Sequence, residues 1–460
     1  MRPDGLIKQL RLAVDIPSLK DTASDWDRIQ KPLLPLLDGR PLQASLASLR
    51  DLGAALRGGE WQVVATLADV GDAWRLVRVN PAPQISPALG LAIDLGTTTV
   101  AAELVEVETG TTLASCLTYN AQRQFGADVT SRMMHAEKLG GLAELRQAVL
   151  HTLNELVADL CAETKCTSDS IDGVVIAGNT IMMHLLLGID PSSIRRDPYV
   201  PATTVFPILT AVEVGLNVHP GAPLYLFPAA SGYVGGDVTA GLLATGIADR
   251  EALSILVDIG TNGETVLGNR DFILACSGSA GSAFEGCGLE WGMSAQPGAI
   301  AHVWIENSRL RYRTVAGEPP RGICGSGLIE VLGAFLQADV INRNGKVNLT
   351  APYTRRGETY PEVILAPAGE TAVGRDIALR QAVRIGLLPD IPRERIRFIG
   401  NSSLAGARAT LLSRQAWQRA QEIASSITCL ELTAEPRYFE EYTAALFLPH
   451  TDLSLFPSLN

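Results

Sequence analysis

The sequence predicts an α/β fold of two related lobes preceded by a small α+β domain, and three observations lead there. First, Leu91-Ala-Ile-Asp-Leu-Gly-Thr-Thr-Thr-Val100 and Ile255-Leu-Val-Asp-Ile-Gly-Thr-Asn-Gly-Glu264 each carry an apolar run into Asp-x-Gly-Thr. Each reads as a buried strand turning tightly into a second strand, and one copy opens each half of the chain. Second, a strand pattern running into Gly-Asn occurs at Gly178-Asn179 and again at Gly400-Asn401. Third, 47% hydrophobic residues with 43 glycines and only 5% aromatics fit buried strands joined by tight turns. A duplicated fold of this kind is expected to hold its ligand in the cleft between the halves.

Taken in order, residues 6–17 read as extended, and residues 45–53 have helical periodicity with Gly53 as the stop signal. Residues 61–67 and 74–79 form a hairpin pattern around Ala68-Asp-Val-Gly-Asp72. The Pro-rich stretch 80–87 is a stiff linker, and a new domain opens at about Leu89. Residues 100–107 return from the first Asp-x-Gly-Thr and turn at 109–111. A long amphipathic helix follows over 142–163, then a buried strand at 171–178. The second half repeats the pattern with strands near 254–275, a helix after Ile323-Cys-Gly-Ser-Gly-Leu-Ile-Glu330, and a strand at 395–399. At 460 residues, two or three domains are expected.

The net charge of −11, with no long basic run, argues against a nucleic-acid partner. No apolar stretch is long enough to span a bilayer and no signal pattern opens the chain, so no membrane association and a cytoplasmic location are expected. The seven cysteines are dispersed, with Cys161 and Cys166 the closest pair, and no iron–sulfur cluster is expected in this chain.

The two Asp-x-Gly-Thr loops carry the chemistry. Asp94 and Asp258 can orient Mg²⁺ or its waters; Gly96 and Gly260 let the backbone approach a phosphate; Thr97, Thr98 and Thr261 supply hydroxyls and amides. Asp-x-Gly is also an ordinary hairpin turn, which makes the repetition the informative feature. Gly325, Ser326 and Gly327 stand at a helix start, where free amides favour an anion, although helix-start glycines need no ligand. Asp237 reads as a metal-water holder or general base at a helix start, or as a structural N-cap. Asn179 and Asn401 follow glycines at strand ends, suited to ligand contact or to a left-handed turn. His184, among Met182, Met183 and Leu185, reads as core. Glu264 and Glu285 are carboxylates without an assigned acid–base role.

These motifs together resemble the reductive activators of corrinoid proteins, within the acetate/sugar kinase–Hsp70–actin (ASKHA) superfamily. The resemblance rests on the two loops and on Tyr119-Asn-Ala-Gln-Arg-Gln-Phe-Gly-Ala-Asp128, Ala177-Gly-Asn-Thr-Ile-Met-Met-His184 and Tyr233-Val-Gly-Gly-Asp237. Ala283-Phe-Glu-Gly286 and Arg321-Gly-Ile-Cys-Gly-Ser-Gly-Leu328 extend it. It implies a linker at 1–15, a small middle domain at 16–80, a Pro-rich linker at 81–88 and an ASKHA domain at 89–460, with RNase H-like lobes at about 89–250 and 251–460. It also implies ATP and Mg²⁺ as cofactors, a cobalamin-binding protein as partner, and ATP-coupled reduction of cob(II)alamin to cob(I)alamin. On this resemblance Asp94 and Asp258 would position Mg²⁺, and Asn262 would join Gly96, Thr97, Thr98, Gly260 and Thr261 at the phosphates. A homodimer is left open.

Two departures from the family pattern stand out. The ferredoxin domain with which such proteins usually begin is not seen here, which implies either a separate electron donor such as a ferredoxin or a sequence that is a fragment of a longer protein. In addition, Val383 runs straight into Arg384-Ile-Gly-Leu-Leu-Pro389, where the family carries a further strand and an adenosine-binding Gly loop. Gly400, Asn401 and Ser402 could line the adenine side instead, and weak or lost ATP affinity is the expectation. Two other readings stay open: a small-molecule kinase on the same fold, and a non-enzymatic assembly factor that binds a corrinoid protein.

Overall fold

The computed structural model describes residues 5–82, 86–260, 262–279, 290–293, 295–306, 309–357, 361–373, 377–379, 393–395, 397, 399–448 and 450–456. The chain divides into two compact units. The first comprises Met1–Val257, Glu264–Cys276 and Ile399–Leu430, and the second Asp258–Gly263, Ser277–Phe398 and Glu431–Asn460.

The first unit opens with a small four-stranded sheet. It is built from β1 (Ile7–Ala13), β2 (Leu42–Ala44), β3 (Gln62–Asp69) and β4 (Trp74–Pro81), in the order β1-β3-β4-β2. The extended segment near the N-terminus is thus an edge strand, fully paired antiparallel to β3. Helices α1 (Asp25–Leu33) and α2 (Leu46–Gly58) close one face over Ile29, Leu52, Leu56, Trp61 and Trp74. The expected stop at Gly53 is corrected: α2 runs five residues further. Its chain turns at Gly59, where an added Cβ would lie 2.4 Å from the Gln62 carbonyl oxygen. A single glycine inside a helix lowers its propensity without ending it.

Next comes a six-stranded sheet of β5 (Leu89–Leu95), β6 (Thr99–Glu106), β7 (Thr111–Tyr119), β8 (Ile171–Gly178), β9 (Leu209–Thr210) and β10 (Pro223–Leu226). Its order is β7-β6-β5-β8-β10-β9, with β5–β7 an antiparallel meander and β8 and β10 parallel to β5. Apart from the added β9, this is the RNase H-like topology. Between the strands lie α3 (Val129–Ala136), α4 (Gly141–Thr164), α5 (Thr180–Leu187), α6 (Ala211–Val214) and α7 (Gly236–Thr245).

The two-residue period of β5 sorts its side chains between two different layers. Leu91, Ile93 and Leu95 join the core under α4 and α5, with Val149, Leu153, Leu156 and Met182. Gly90 and Ala92 face the other way, where space is short: a Cβ at Gly90 would come 2.6 Å from Leu411. Asp94 shares that second face, because it follows Ala92 by two residues.

β11 (Ser254–Ile259), β12 (Asn262–Gly268) and β13 (Ile273–Ser279) repeat the opening meander. β14 (Ala299–Glu306), β15 (Arg309–Thr314) and β16 (Gly322–Ile323) form a sheet of order β15-β14-β16, covered by α8 (Gly325–Gln337). Strands β17 (Thr354–Arg356), β18 (Pro361–Ala366) and β19 (Ile377–Leu379) follow in the second unit, whose core gathers Ile300, Ile323, Leu328, Phe335, Val363 and Leu365.

The chain returns to the first unit with α9 (Ser402–Leu412) and α10 (Arg414–Ser426), then β20 (Ile427–Cys429), which pairs parallel to β13. A last helix is α11 (Tyr438–Ala444). The strand expected at 395–399 is corrected for its described part: Arg393–Arg395 is a 3-10 turn, and residues 397 and 399 are not in a strand. The Val383–Arg384 junction, residues 283–286, Glu285 and Cys287 lie outside the described residues. Helix α9 packs on the face of β5 and β8 that holds Ala92, Val175 and Ala177, and crosses α7 closely. At the crossing, a Cβ on Gly406 would stand 2.3 Å from the Ala240 carbonyl oxygen.

Candidate functional site

In the first unit, four chain segments converge on the loop after β5. Gly96 makes the turn itself possible, because a Cβ there would lie 2.5 Å from the Thr99 carbonyl oxygen. Asn120, fully buried after β7, donates Nδ2 to the Gly96 carbonyl at 3.1 Å, and its backbone N–H reaches the Thr98 carbonyl at 2.9 Å. Behind it, Arg132 donates Nη1 to Gln122 Oε1 at 3.2 Å, and Gln122 donates Nε2 to the Leu145 carbonyl at 2.9 Å. The loop therefore rests on a buried polar network that fixes its backbone.

Asn179 is the second support. It caps α5, accepting at Oδ1 from the Met182 N–H at 2.9 Å, and donates Nδ2 to Thr97 Oγ1 at 3.0 Å. Its backbone is extended (φ −68°, ψ 159°), so the left-handed-turn alternative is corrected; an N-cap needs just this conformation. Thr97 and Thr98 are both buried, and the Thr97 hydroxyl, having accepted from Asn179, keeps its own hydrogen to donate.

The third segment is the start of α7. Gly235 is its N-cap, and Asp237 lies in the first turn, accepting at Oδ1 from the Val238 N–H at 2.9 Å. The N-cap alternative for Asp237 is thereby corrected, since the cap is two residues earlier. A Cβ on Gly235 would stand 2.4 Å from Asn179 Cα, which brings the starts of α5 and α7 together beside Thr97.

The fourth segment is the start of α9. Asn401 donates Nδ2 to Asp94 Oδ2 at 2.8 Å, and Ser403 donates Oγ to Asp94 Oδ1 at 2.8 Å. Gly400 before them takes φ +66°, which sets the entry into the helix. Ser402 is buried against α7, where its Oγ would be 2.9 Å from a Cβ on Gly241. Of the sequence-predicted residues, Asp94, Gly96, Thr97, Thr98, Asn179, Asp237 and Asn401 thus gather around one loop. Ser403 and Asn120 were not singled out by sequence reasoning; Ser403 directly follows Gly400, Asn401 and Ser402, and Asn120 lies in the motif that begins at Tyr119.

In the second unit, Asp258 is half-buried near the end of β11, and the Gly260 N–H donates to the Asn262 carbonyl at 2.9 Å. Thr261 lies outside the described residues. Gly325 and Ser326 form the first turn of α8, where Ser326 Oγ is 3.3 Å from the Sγ of the N-cap Cys324. Gly327 serves packing: a Cβ there would meet the Ile300 carbonyl oxygen at 2.1 Å. His184 is core, as expected, with Nδ1 2.7 Å from the Thr180 carbonyl and its pKa lowered by burial.

Comparison with known proteins covers the chain in successive stretches. Residues 1–84 match the RACo linker region and 89–250 the RACo middle region. Residues 252–382 and 370–460 match, as two stretches, the C-terminal domain of RACo, the ASKHA domain. The chain is 37% identical to a solved reductive activator for corrinoid, iron-sulfur protein, with a TM-score of 0.91 over 99% of this chain and 81% of that one. It is 28% identical to the corrinoid activation enzyme RamQ of Eubacterium limosum, over 77% of this chain and 70% of the relative. It is 24% identical to the Co(II) methylated amine-specific corrinoid protein reductase of Methanosarcina barkeri, over 74% of this chain and 73% of that protein. Among the described residues, no helix is long and apolar enough to cross a membrane. With two RNase H-like openings, the small leading sheet and these matches along its length, the chain belongs to the family of reductive activators of corrinoid proteins.

Proposed function

We propose that this protein is an ATP-dependent reductive activator that returns the cobalt of a partner corrinoid protein from Co(II) to Co(I). The observation that carries the reading is the loop at Asp94, Gly96 and Thr97, braced from Asn120, Asn179 and Asn401 as a phosphate-binding turn would have to be. Such bracing costs the loop its freedom before ligand arrives, which is how a site lowers the ordering cost of binding. The substrate class is supported by the relatives, one named a corrinoid activation enzyme and the other a reductase of a Co(II) corrinoid protein.

The Asp94 carboxylate, held at the loop by Asn401 and Ser403, is the kind of oxygen ligand that magnesium takes. Among the described residues, no group of three or more His, Cys, Asp or Glu could hold a metal ion. Magnesium commonly takes one or two carboxylates and completes its shell with water and phosphate oxygens. Asp94 in the first unit and Asp258 in the second are the carboxylates we assign to that role. Gly96, Thr97 and Thr98, with Gly260, Thr261 and Asn262, would present amides and hydroxyls to phosphate oxygens. When bound, Mg-ATP supplies the free energy for an uphill electron transfer. The protein's own part is electrostatic and positional: it would hold the phosphates and present each carboxylate to the ion.

Reduction of Co(II) to Co(I) consumes one electron. We assign its supply to a separate carrier such as a ferredoxin, the donor that the family resemblance implies. The test is reduction of a Co(II) corrinoid protein with a low-potential reductant, followed by its visible absorbance. Conversion to the Co(I) spectrum that requires both Mg-ATP and this protein is the expected result. Conversion at equal rate and extent without ATP would overturn the reading.

A further inference from the structure

We infer that Asn401 and Ser403 are positioning residues that set the orientation of the Asp94 carboxylate for its magnesium role; the inference rests on the nucleotide reading above. Each oxygen of Asp94 receives one hydrogen bond from the start of α9, Oδ2 from Asn401 and Oδ1 from Ser403, both at 2.8 Å. Two donors on two oxygens fix the rotation of the carboxylate plane, which a single donor would leave loose. A carboxylate has about four lone-pair sites, so two such bonds use only part of its accepting capacity.

The identity of Asn401 follows from its two duties. Its Oδ1 accepts from the Leu404 N–H at 2.8 Å, capping α9, so the atom turned to Asp94 is the amide nitrogen. Aspartate would cap the helix equally well but would set a second negative charge against Asp94. Ser403 is buried, so its hydroxyl is held at the carboxylate rather than shared with bulk water.

The helix that carries both donors has little room to drift. Leu411 fills the space left by Gly90, Gly406 lies against the Ala240 backbone, and Ala407 joins the core with Ala92 and Val175. Beyond its end, Arg414 Nε lies 3.1 Å from Asp69 Oδ2, a buried carboxylate of the small sheet. The start of α9 is therefore placed from both ends, and Asp94 is placed by it.

The experiment is a magnesium titration of ATP binding by calorimetry, using the full-length chain and its variants. Asn401→Asp keeps the cap and replaces the donor by an acceptor; Ser403→Ala deletes the second donor; Ser403→Thr retains a hydroxyl. Asn401→Asp and Ser403→Ala should each raise the magnesium concentration for half-saturation about tenfold, the scale of one lost hydrogen bond to a charged group. Ser403→Thr should stay within about twofold of the parent, which a purely packing role for Ser403 does not require. Thermal midpoints close to the parent's for Asn401→Asp would show that the helix remains capped. Magnesium curves identical to the parent's in Asn401→Asp and Ser403→Ala would overturn the positioning role and leave the nucleotide reading standing. Absence of any Mg-ATP heat from the parent protein would overturn both.

Discussion

Arg78 grips the carboxylate of Asp172 with two hydrogen bonds, Nε to Oδ1 at 2.6 Å and Nη2 to Oδ2 at 3.0 Å. Arg78 belongs to β4 of the small sheet and Asp172 to β8 of the six-stranded sheet, so the pair ties the leading domain to the body of the first unit. The Asp172 side chain is 0% exposed and that of Arg78 only 12%. A buried pair of this kind adds little net stability while whole, but breaking it from one side is costly.

Replacing Arg78 by methionine should therefore destabilise the protein by about 3–5 kcal/mol at neutral pH, because Asp172 loses its partner in a dry environment. Urea unfolding measures the loss. Adding Asp172→Asn to the same variant should recover most of it; a double variant as unstable as the single one would contradict this account.

Burial pushes the Asp172 carboxyl up to about 6, against the opposing pull of Arg78. In the unfolded chain the same group titrates near 3.8, so folding takes up a proton between these values. The stability this group contributes is complete below the lower pKa and is lost as pH rises through the upper one. Relative to the parent, Asp172→Asn should gain about 1 kcal/mol on going from pH 5 to pH 7.5. Denaturant curves at the two pH values test the sign as well as the size.

Gly406→Ala reverses an ordinary expectation. In an exposed helix interior the change would stabilise by about 1 kcal/mol. Here the new Cβ would stand 2.3 Å from a backbone oxygen of α7, which cannot swing aside. A loss of about 1–3 kcal/mol is expected instead, read as a lowered thermal midpoint.

Asp94→Ala and Asp258→Ala should each abolish Mg-ATP-dependent reduction of the corrinoid protein. Circular dichroism should remain close to that of the parent, since both side chains are only half-buried at loop entries. Unchanged turnover in both variants would refute their assignment to magnesium.

Much of this was legible in the residues. The alternation through Leu91, Ile93 and Leu95 fixes which face of β5 meets the large core, and Asp94 necessarily takes the opposite face. The small residues Gly90 and Ala92 on that face already announce a closely packed neighbour. Asn179, read from the sequence as a ligand contact or a left-handed turn, is a helix cap in the structure, and the apolar run at 180–187 after it was the signal for that. These are local facts, set by period, side-chain size and hydrogen-bonding chemistry within a few residues.

Only the tertiary structure decided which neighbour arrives. That α9 covers Gly90 and brings Ser403 to a carboxylate 309 positions earlier follows from chain topology and from the Gly406 crossing. The same holds for Arg78 and Asp172, 94 residues apart, and for Gly327, whose glycine serves the Ile300 backbone. Patterning tells each segment what kind of surface to present, whereas the choice of partner is made by the whole chain finding the one arrangement in which every such surface is covered.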